Sequence, residues 1–186
     1  MPRLEGRLQA LATGYNAGMN IQDIHLLYEY NYWANKRILG ASAGVTQEQF
    51  LASASFPYGG LRGTLLHILH TEWGWRALFQ SIDAATELKE ADFPTLAALE
   101  SHWKEEEQAM RAYLANLSDD DMESHLRYTT DTGTKRDRIL WHCLLHVVNH
   151  GTQHRSEAAA LLTEYRHSPG DLDFTVFLNE VNSLVE

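Results

Sequence analysis

The chain has 186 residues, of which 44% are hydrophobic and 22% charged, so it is long enough to fold as one domain with its own core. The chain has 15 Lys and Arg and 25 Asp and Glu, which gives a formal net charge of −10. This excess of acidic residues argues against a nucleic-acid partner, because a protein that binds nucleic acid requires a basic surface. The sequence has no apolar run long enough to span a bilayer and no secretory signal, so we expect no membrane partner. With a single cysteine, Cys143, it suits the reducing cytoplasm.

Helical patterns dominate the first half of the chain. Apolar residues at three- and four-residue steps predict a long helix from Ile21 to Gly40. Thr46 and Gln49 have the spacing of a capping box, which predicts the start of a short helix. The segment FPYGG at 56–60 then breaks the chain, and a second long helix is predicted at 61–82.

The second half continues the helical pattern with one interruption. The predicted elements are a third helix at 95–117, an extended excursion or small hairpin at 125–137, and a fourth long helix at 138–166. The apolar tail at 174–178 can dock back onto these helices. We therefore expect an all-α protein, an antiparallel four-helix bundle with a short extended excursion before the last long helix. A weakly structured extension at 1–20 precedes this single domain at 21–186.

Four histidines of the fourth helix stand four residues apart, at His142, His146, His150 and His154. A four-residue step turns a helix by about 400°, so neighbouring members of this ladder point in nearly the same direction. Any neighbouring pair could place two imidazoles on one divalent metal ion. The spacing leaves the pairs 142/146, 146/150 and 150/154 open, and it also fits a surface stripe or an interface.

A third ligand would have to come from another helix, because catalytic metal sites commonly use three protein ligands and keep one position open. His67 and His70 on the second long helix are the candidates. His67 lies in the more apolar stretch, although a histidine in such a stretch is more often a packed core residue. The motifs of di-iron bundles and of zincin proteases are absent, and so are glycine-rich nucleotide loops.

Three segments, in this order, carry a resemblance to a known family. They are LYEYNYWAN at 27–35, LLHI at 65–68 with Glu72 and Trp75 after it, and HVVNHGTQHR at 146–155. In this combination the chain resembles the DinB/YfiT-like superfamily of metal-dependent enzymes.

The resemblance selects among the open ligand sets. It implies a metal held by His67 from the second helix and by His150 and His154 from the fourth. His142 and His146 then lie beside the metal ligands or contribute to packing. One departure concerns the residues after the last ligand, where the family usually has Arg-Gly-Gln and this chain has Arg-Ser-Glu at 155–157.

The resemblance also implies a function. Relatives form four-helix folds, often dimeric, with nickel or zinc as the metal, and include bacillithiol S-transferases and a mycothiol-dependent maleylpyruvate isomerase. We therefore expect one zinc or nickel ion per chain, a homodimer, and a transferase or hydrolase that uses a low-molecular-weight thiol on a small electrophile. The alternatives are a non-catalytic metal-binding or stress-response protein, and a metal-free interaction module with the histidines at its interface.

Four further residues are candidates for the site. His146 would lie next to the metal ligands. Glu72 would orient a metal-bound histidine or pair at the surface. Arg155 would meet a substrate carboxylate or form a structural salt bridge, and Trp33 would wall a substrate pocket or belong to the core.

Overall fold

A computed structural model of the chain describes residues 18–82, 88–130 and 132–182. Within these ranges the protein is mostly helical, with one small sheet of two strands. The helices are α1 (Ile21–Ser42), α2 (Gln47–Leu51), α3 (Leu61–Phe79), α4 (Leu96–Leu114), α5 (Asp119–Met122), α6 (Leu140–Glu164) and α7 (Phe174–Asn182). The strands β1 (His125–Thr129) and β2 (Lys135–Ile139) form an antiparallel hairpin between α5 and α6. A 3-10 turn at Glu90–Asp92 precedes α4.

The helix starts follow from capping residues. The predicted capping box is present at α2, where Thr46 accepts from the Gln49 backbone and the Gln49 side chain accepts in return. Thr95 caps α4 as expected. After the third long helix, Ser118 forms a capping box with Asp121 and starts the short α5. The predicted extension at 1–20 lies mostly outside the described residues.

The helices α3 and α4 run in the same direction. Glu72 and Trp103 meet near the middle of these two helices, where the indole nitrogen lies 2.9 Å from the carboxylate. Phe79 and Tyr113 meet near their C-terminal ends, with ring centroids 5.7 Å apart. Antiparallel neighbours would reverse this order, so the expected antiparallel arrangement is wrong for this pair.

The helices α1 and α6 are also parallel. The Tyr28 hydroxyl donates to the Leu144 carbonyl at 3.3 Å, and the Arg155 guanidinium donates to Asn35 at 2.9 Å. Simple antiparallel packing requires short connections between successive helices. Here the connection at 80–95 is long enough to return along a helix of about 28 Å before α4 begins.

Apolar packing places the site-bearing helices side by side. The helix α6 packs against both α1 and α3, and α4 packs against α3 and α1. The predicted docking of the tail is present as α7, where Phe177 is buried against Tyr30 and Trp33 of α1. Within the described ranges, no helix combines the length and apolar character that crossing a membrane requires.

Candidate metal centre

Three histidines converge where α3 crosses α6. His67 of α3 meets His150 and His154 of α6, with one ring nitrogen of each within 4.8 Å of the others. The Nε2 atoms of His67 and His150 are 3.0 Å apart, and the ring centroids of His150 and His154 are 4.4 Å apart. His154 is buried and the other two are half-buried. Three imidazoles at these separations are a donor set that can hold a divalent transition metal.

Burial keeps the rings of His67 and His150 neutral, and a neutral ring nitrogen is what a metal ion binds. Burial, together with the neighbouring His154 and His70, lowers the pKa of His67 to about 4. It likewise lowers the pKa of His150 to about 4, together with His154 and His67. Both imidazoles are therefore neutral at pH 7, and a neutral ring nitrogen offers its lone pair to a cation without first losing a proton.

A carboxylate orients the third ring. Glu157 stands one helical turn after His154, and its Oε2 lies 2.9 Å from His154 Nδ1. A proton on Nδ1 satisfies this contact and leaves Nε2 free as the ligand atom. Sequence reasoning missed Glu157 as a site residue, although a carboxylate three residues after a histidine on one helix is a detectable signal.

An aromatic lid covers His67. The Tyr58 ring stacks on the His67 ring with centroids 3.5 Å apart, and its edge meets His154 at 5.2 Å. A Cβ at Gly63 would overlap the Tyr58 carbonyl oxygen, so only glycine lets this loop approach the first turn of α3 so closely. The segment 56–60 was predicted only to separate two helices. In the structure it carries Tyr58 over the candidate site.

Behind the histidines lies a buried polar network that involves all four long helices. Glu72 of α3 accepts hydrogen bonds from Asn31 and Asn35 of α1, at 2.7 and 2.9 Å, and from Trp103 of α4. Both asparagines in turn accept from Arg155 of α6, at 2.6 and 2.9 Å. The two carboxamides thus bridge a buried negative charge and a buried positive charge.

This network corrects two expectations. Glu72 is 5% exposed and bonds α1 and α4, so it neither orients a histidine nor pairs at the surface. Arg155 is 1% exposed and is joined to Glu72 only through the asparagines, so it is not a direct salt bridge and is not available to a substrate. Burial raises the pKa of Glu72, and the hydrogen bonds from Asn31 and Asn35 counter that rise.

Similarity to known proteins identifies the family of this chain. A model of the DinB family matches residues 17–181. The chain belongs to the DinB family. It is similar to Protein DinB of Bacillus subtilis (strain 168), with 23% identity over 159 residues, which cover 82% of this chain and 91% of that protein. The resemblance seen in the sequence is therefore confirmed.

The segments that carry the DinB resemblance supply both the histidine cluster and the network. Asn31 and Asn35 belong to the segment of α1, Glu72 follows the segment of α3, and Arg155 ends the segment of α6. Gly151 in the last segment leaves space for the network, since a Cβ there would lie 2.6 Å from the Arg155 guanidinium. The segments that carry the resemblance therefore contain the three candidate ligands and most of the network that holds the helices together.

The remaining predicted positions lie around or away from the cluster. His146 continues the ladder beside His150, with ring centroids 5.8 Å apart, and its other side meets Trp75. Trp33 contacts Tyr30 and Phe177 and lines a separate cavity of about 990 Å³ between α1 and α4. No histidine is among the described residues that line that cavity, so Trp33 does not wall a pocket at the candidate metal centre.

Two cavities flank the three histidines. One of about 520 Å³ lies on the Tyr58 side and includes His67 itself, Lys89 and Glu90. The other, of about 380 Å³, lies on the His146 side, between α3, α6 and the hairpin. Of the two, only the cavity on the Tyr58 side has one of the three histidines among its described lining residues, and the other begins at His146, the neighbour of His150 in the ladder.

Proposed function

We propose that this DinB-family chain binds one divalent transition metal through His67, His150 and His154 and is a metal-dependent enzyme of the thiol-transferase type. The convergence of one ring nitrogen from each histidine within 4.8 Å carries the proposal. When bound, such a metal lowers the pKa of a coordinated water or thiol and supplies a nucleophile at neutral pH. Zinc and nickel both suit three neutral imidazoles.

Two residues beside the cluster, Glu157 and Tyr58, contact the candidate ligands. Glu157 fixes the ring of His154, and Tyr58 stacks on the ring of His67. Within the described residues the candidate ligand group has three members, which leaves coordination positions for a thiol and a substrate. A closed site of four protein ligands would instead favour a non-catalytic, stabilising metal.

Metal analysis of the purified chain, produced without a histidine tag, tests the proposal. We expect about one zinc or nickel ion per chain by elemental mass spectrometry, and loss of that ion in His150→Ala. His146→Ala is the matched control, because it removes a histidine from the same ladder one turn away and should retain the metal. Absence of metal from the wild type, even after zinc or nickel is added, would refute the proposal.

Catalysis requires a separate test. The metal-loaded chain should transfer a low-molecular-weight thiol to a small electrophile, and the transfer should stop when a chelator removes the metal. A chain that binds metal but transfers no thiol to any of a panel of electrophiles would support the non-catalytic alternative.

We also propose that the four long helices form one four-helix bundle and that two chains form a homodimer. The helix contacts and the network shared by α1, α3, α4 and α6 support the bundle. Light scattering at pH 5.5 and 7.5, with and without chelator, tests the dimer. A dimer that depends on pH but not on chelator would favour a histidine interface without metal.

A further inference from the structure

The cavity on the His146 side is a second feature of the α3/α6 groove. Its six described lining residues are Trp75, Tyr128, Arg138, His142, Cys143 and His146. Its volume of about 380 Å³ lies in the range that small-molecule sites occupy. The cavity begins one helical turn from His150, because His146 belongs to both the histidine ladder and the cavity wall.

One wall of this cavity is aromatic. The rings of Trp75 and Tyr128 meet edge to face, with centroids 5.5 Å apart, and Trp75 also contacts His146 at 5.2 Å. The hairpin carries Tyr128 across the groove, so the wall joins a strand residue to a helix residue. Such rings favour a flat, unsaturated ligand that stacks on or abuts them.

The cavity lining also includes one positive charge, that of Arg138. Within the described residues Arg138 forms no ion pair, whereas Arg37, Arg62, Arg76 and Arg111 each pair with a glutamate. None of the six lining residues is acidic, although the chain has 25 acidic residues in total. Arg138 and Cys143 line the same cavity. Burial raises the pKa of the Cys143 thiol, and the Arg138 guanidinium counters part of that rise.

The cavity on the other side of the histidines lacks this charge selectivity. It is lined by both Lys89 and Glu90, and Glu90 already pairs with Arg62 at 2.5 Å. An anion therefore gains a guanidinium partner only on the His146 side. A guanidinium binds a carboxylate through two parallel hydrogen bonds, which fixes the orientation of the ligand as well as its charge.

We propose that the cavity formed by Trp75, Tyr128, Arg138, His142 and His146 is the substrate pocket of this protein and binds a small aromatic carboxylate. The carboxylate lies against Arg138, with imidazole donors from His142 and His146 nearby. The ring lies against Trp75 and Tyr128. The inference rests on the proposed function for its catalytic meaning, because only a metal at the adjacent histidines would make the bound molecule a substrate.

Binding of trans-cinnamate to the full-length, metal-loaded chain tests this assignment by titration calorimetry. Cinnamamide is the matched neutral ligand, since it has the same shape without the charge. We expect cinnamate to bind and Arg138→Gln to weaken it by about tenfold or more, the loss of one charge-assisted contact. Arg136→Gln on the same strand lies outside the cavity lining and should leave binding unchanged.

Each other outcome overturns the assignment. Three results would show that the cavity does not select a carboxylate. They are equal affinity for cinnamate and cinnamamide, equal affinity for cinnamate in the wild type and Arg138→Gln, and no binding of cinnamate at millimolar concentration. Binding that survives Arg138→Gln but is lost in His150→Ala would place the carboxylate on the metal instead. Tyr128→Leu is a second variant, and it should weaken cinnamate while circular dichroism shows an intact fold.

The two proposals can fail separately. The metal content of every sample is measured alongside the titration. A chain with metal that does not bind cinnamate refutes the pocket alone. A chain without metal that still binds cinnamate through Arg138 refutes the metal centre and leaves an anion-binding cavity.

Discussion

At the scale of single residues, Glu157 has the clearest individual role in the candidate metal centre. Its carboxylate lies 2.9 Å from His154 Nδ1. The family pattern on which the resemblance was based has glutamine here, whereas this chain has glutamate. A charged acceptor holds the Nδ1 proton more strongly than an amide oxygen and makes the opposite nitrogen a better donor to a metal.

Replacing Glu157 should weaken metal binding in a graded way. We expect Glu157→Ala to lower zinc affinity by about 10- to 100-fold, because His154 loses the group that fixes its ring. Glu157→Gln keeps an acceptor and should lose less. Competition with a chromophoric chelator measures both affinities, and Glu164→Ala near the exposed end of α6 is the control. Equal affinity in all four proteins would contradict the role.

The lowered pKa values of His67 and His150 predict a pH dependence of stability in the metal-free chain. Both values are about 4 in the folded protein, whereas an unfolded histidine titrates near pH 6.5. Between these values the unfolded state binds more protons. The free energy of unfolding is therefore highest above about pH 6.5 and falls as the pH is lowered toward 4.

Urea unfolding in the presence of chelator, at pH 7 and pH 5, measures this effect. The variant His67→Gln/His150→Gln should lose less stability between the two pH values than the wild type, because it lacks both titrating groups. Parallel losses in the two proteins would assign the acid sensitivity to other groups.

At the scale of elements, the buried network aligns helices that the sequence separates widely. Asn31, Asn35, Glu72, Trp103 and Arg155 come from four different helices and are joined by hydrogen bonds of 2.6 to 2.9 Å. Each contact requires a particular rotation of its helix about the helix axis. Because His67 precedes Glu72 and His154 precedes Arg155, the same rotations direct the histidines toward one another.

Removing the centre of the network should cost stability. We expect Glu72→Ala to lower the free energy of unfolding by about 3 kcal/mol, since it leaves the buried Arg155 without a compensating charge. Glu29→Ala is the matched control, because Glu29 pairs with Arg111 at the surface and such pairs contribute at most about 1 kcal/mol. Chemical denaturation of the metal-free proteins compares the two. A loss for Glu72→Ala no larger than for Glu29→Ala would show that the network does not stabilise the fold.

At the scale of the whole molecule, a metal at this centre would clamp α3 to α6. More than eighty residues of chain separate His67 from His150 and His154, and the unfolded protein cannot hold the three together. Ligand binding to the folded state alone raises stability in proportion to the logarithm of the free metal concentration over Kd.

Chelation should therefore lower the melting temperature of the wild-type chain. A metal at about 1,000 times its Kd stabilises the folded state by about 4 kcal/mol. Differential scanning calorimetry before and after chelation measures the shift. His150→Ala should melt at one temperature under both conditions, and a wild type that does the same would show that no metal is bound.

The sequence by itself determined the helices, the hairpin and the identity of the candidate ligands. Helical periodicity and capping residues are local signals, so the bounds of α1, α3, α4 and α6 could be predicted to within a few residues. The four-residue spacing of the ladder placed its histidines on one stripe, and only the family resemblance selected His150 and His154 with His67. Spacing alone could not, since each neighbouring pair has the same geometry.

Tertiary structure alone decided the directions of the helices and the roles of the polar residues. The parallel course of α3 and α4 depends on a connection that carries no directional signal in its residues. Glu72 was expected to orient a metal-bound histidine or pair at the surface, and Arg155 to meet a substrate carboxylate or form a structural salt bridge. Both are instead buried in one hydrogen-bonded network. Their partners, Asn31 and Asn35, lie more than thirty residues away in sequence, and only folding brings such donors and acceptors within hydrogen-bonding distance.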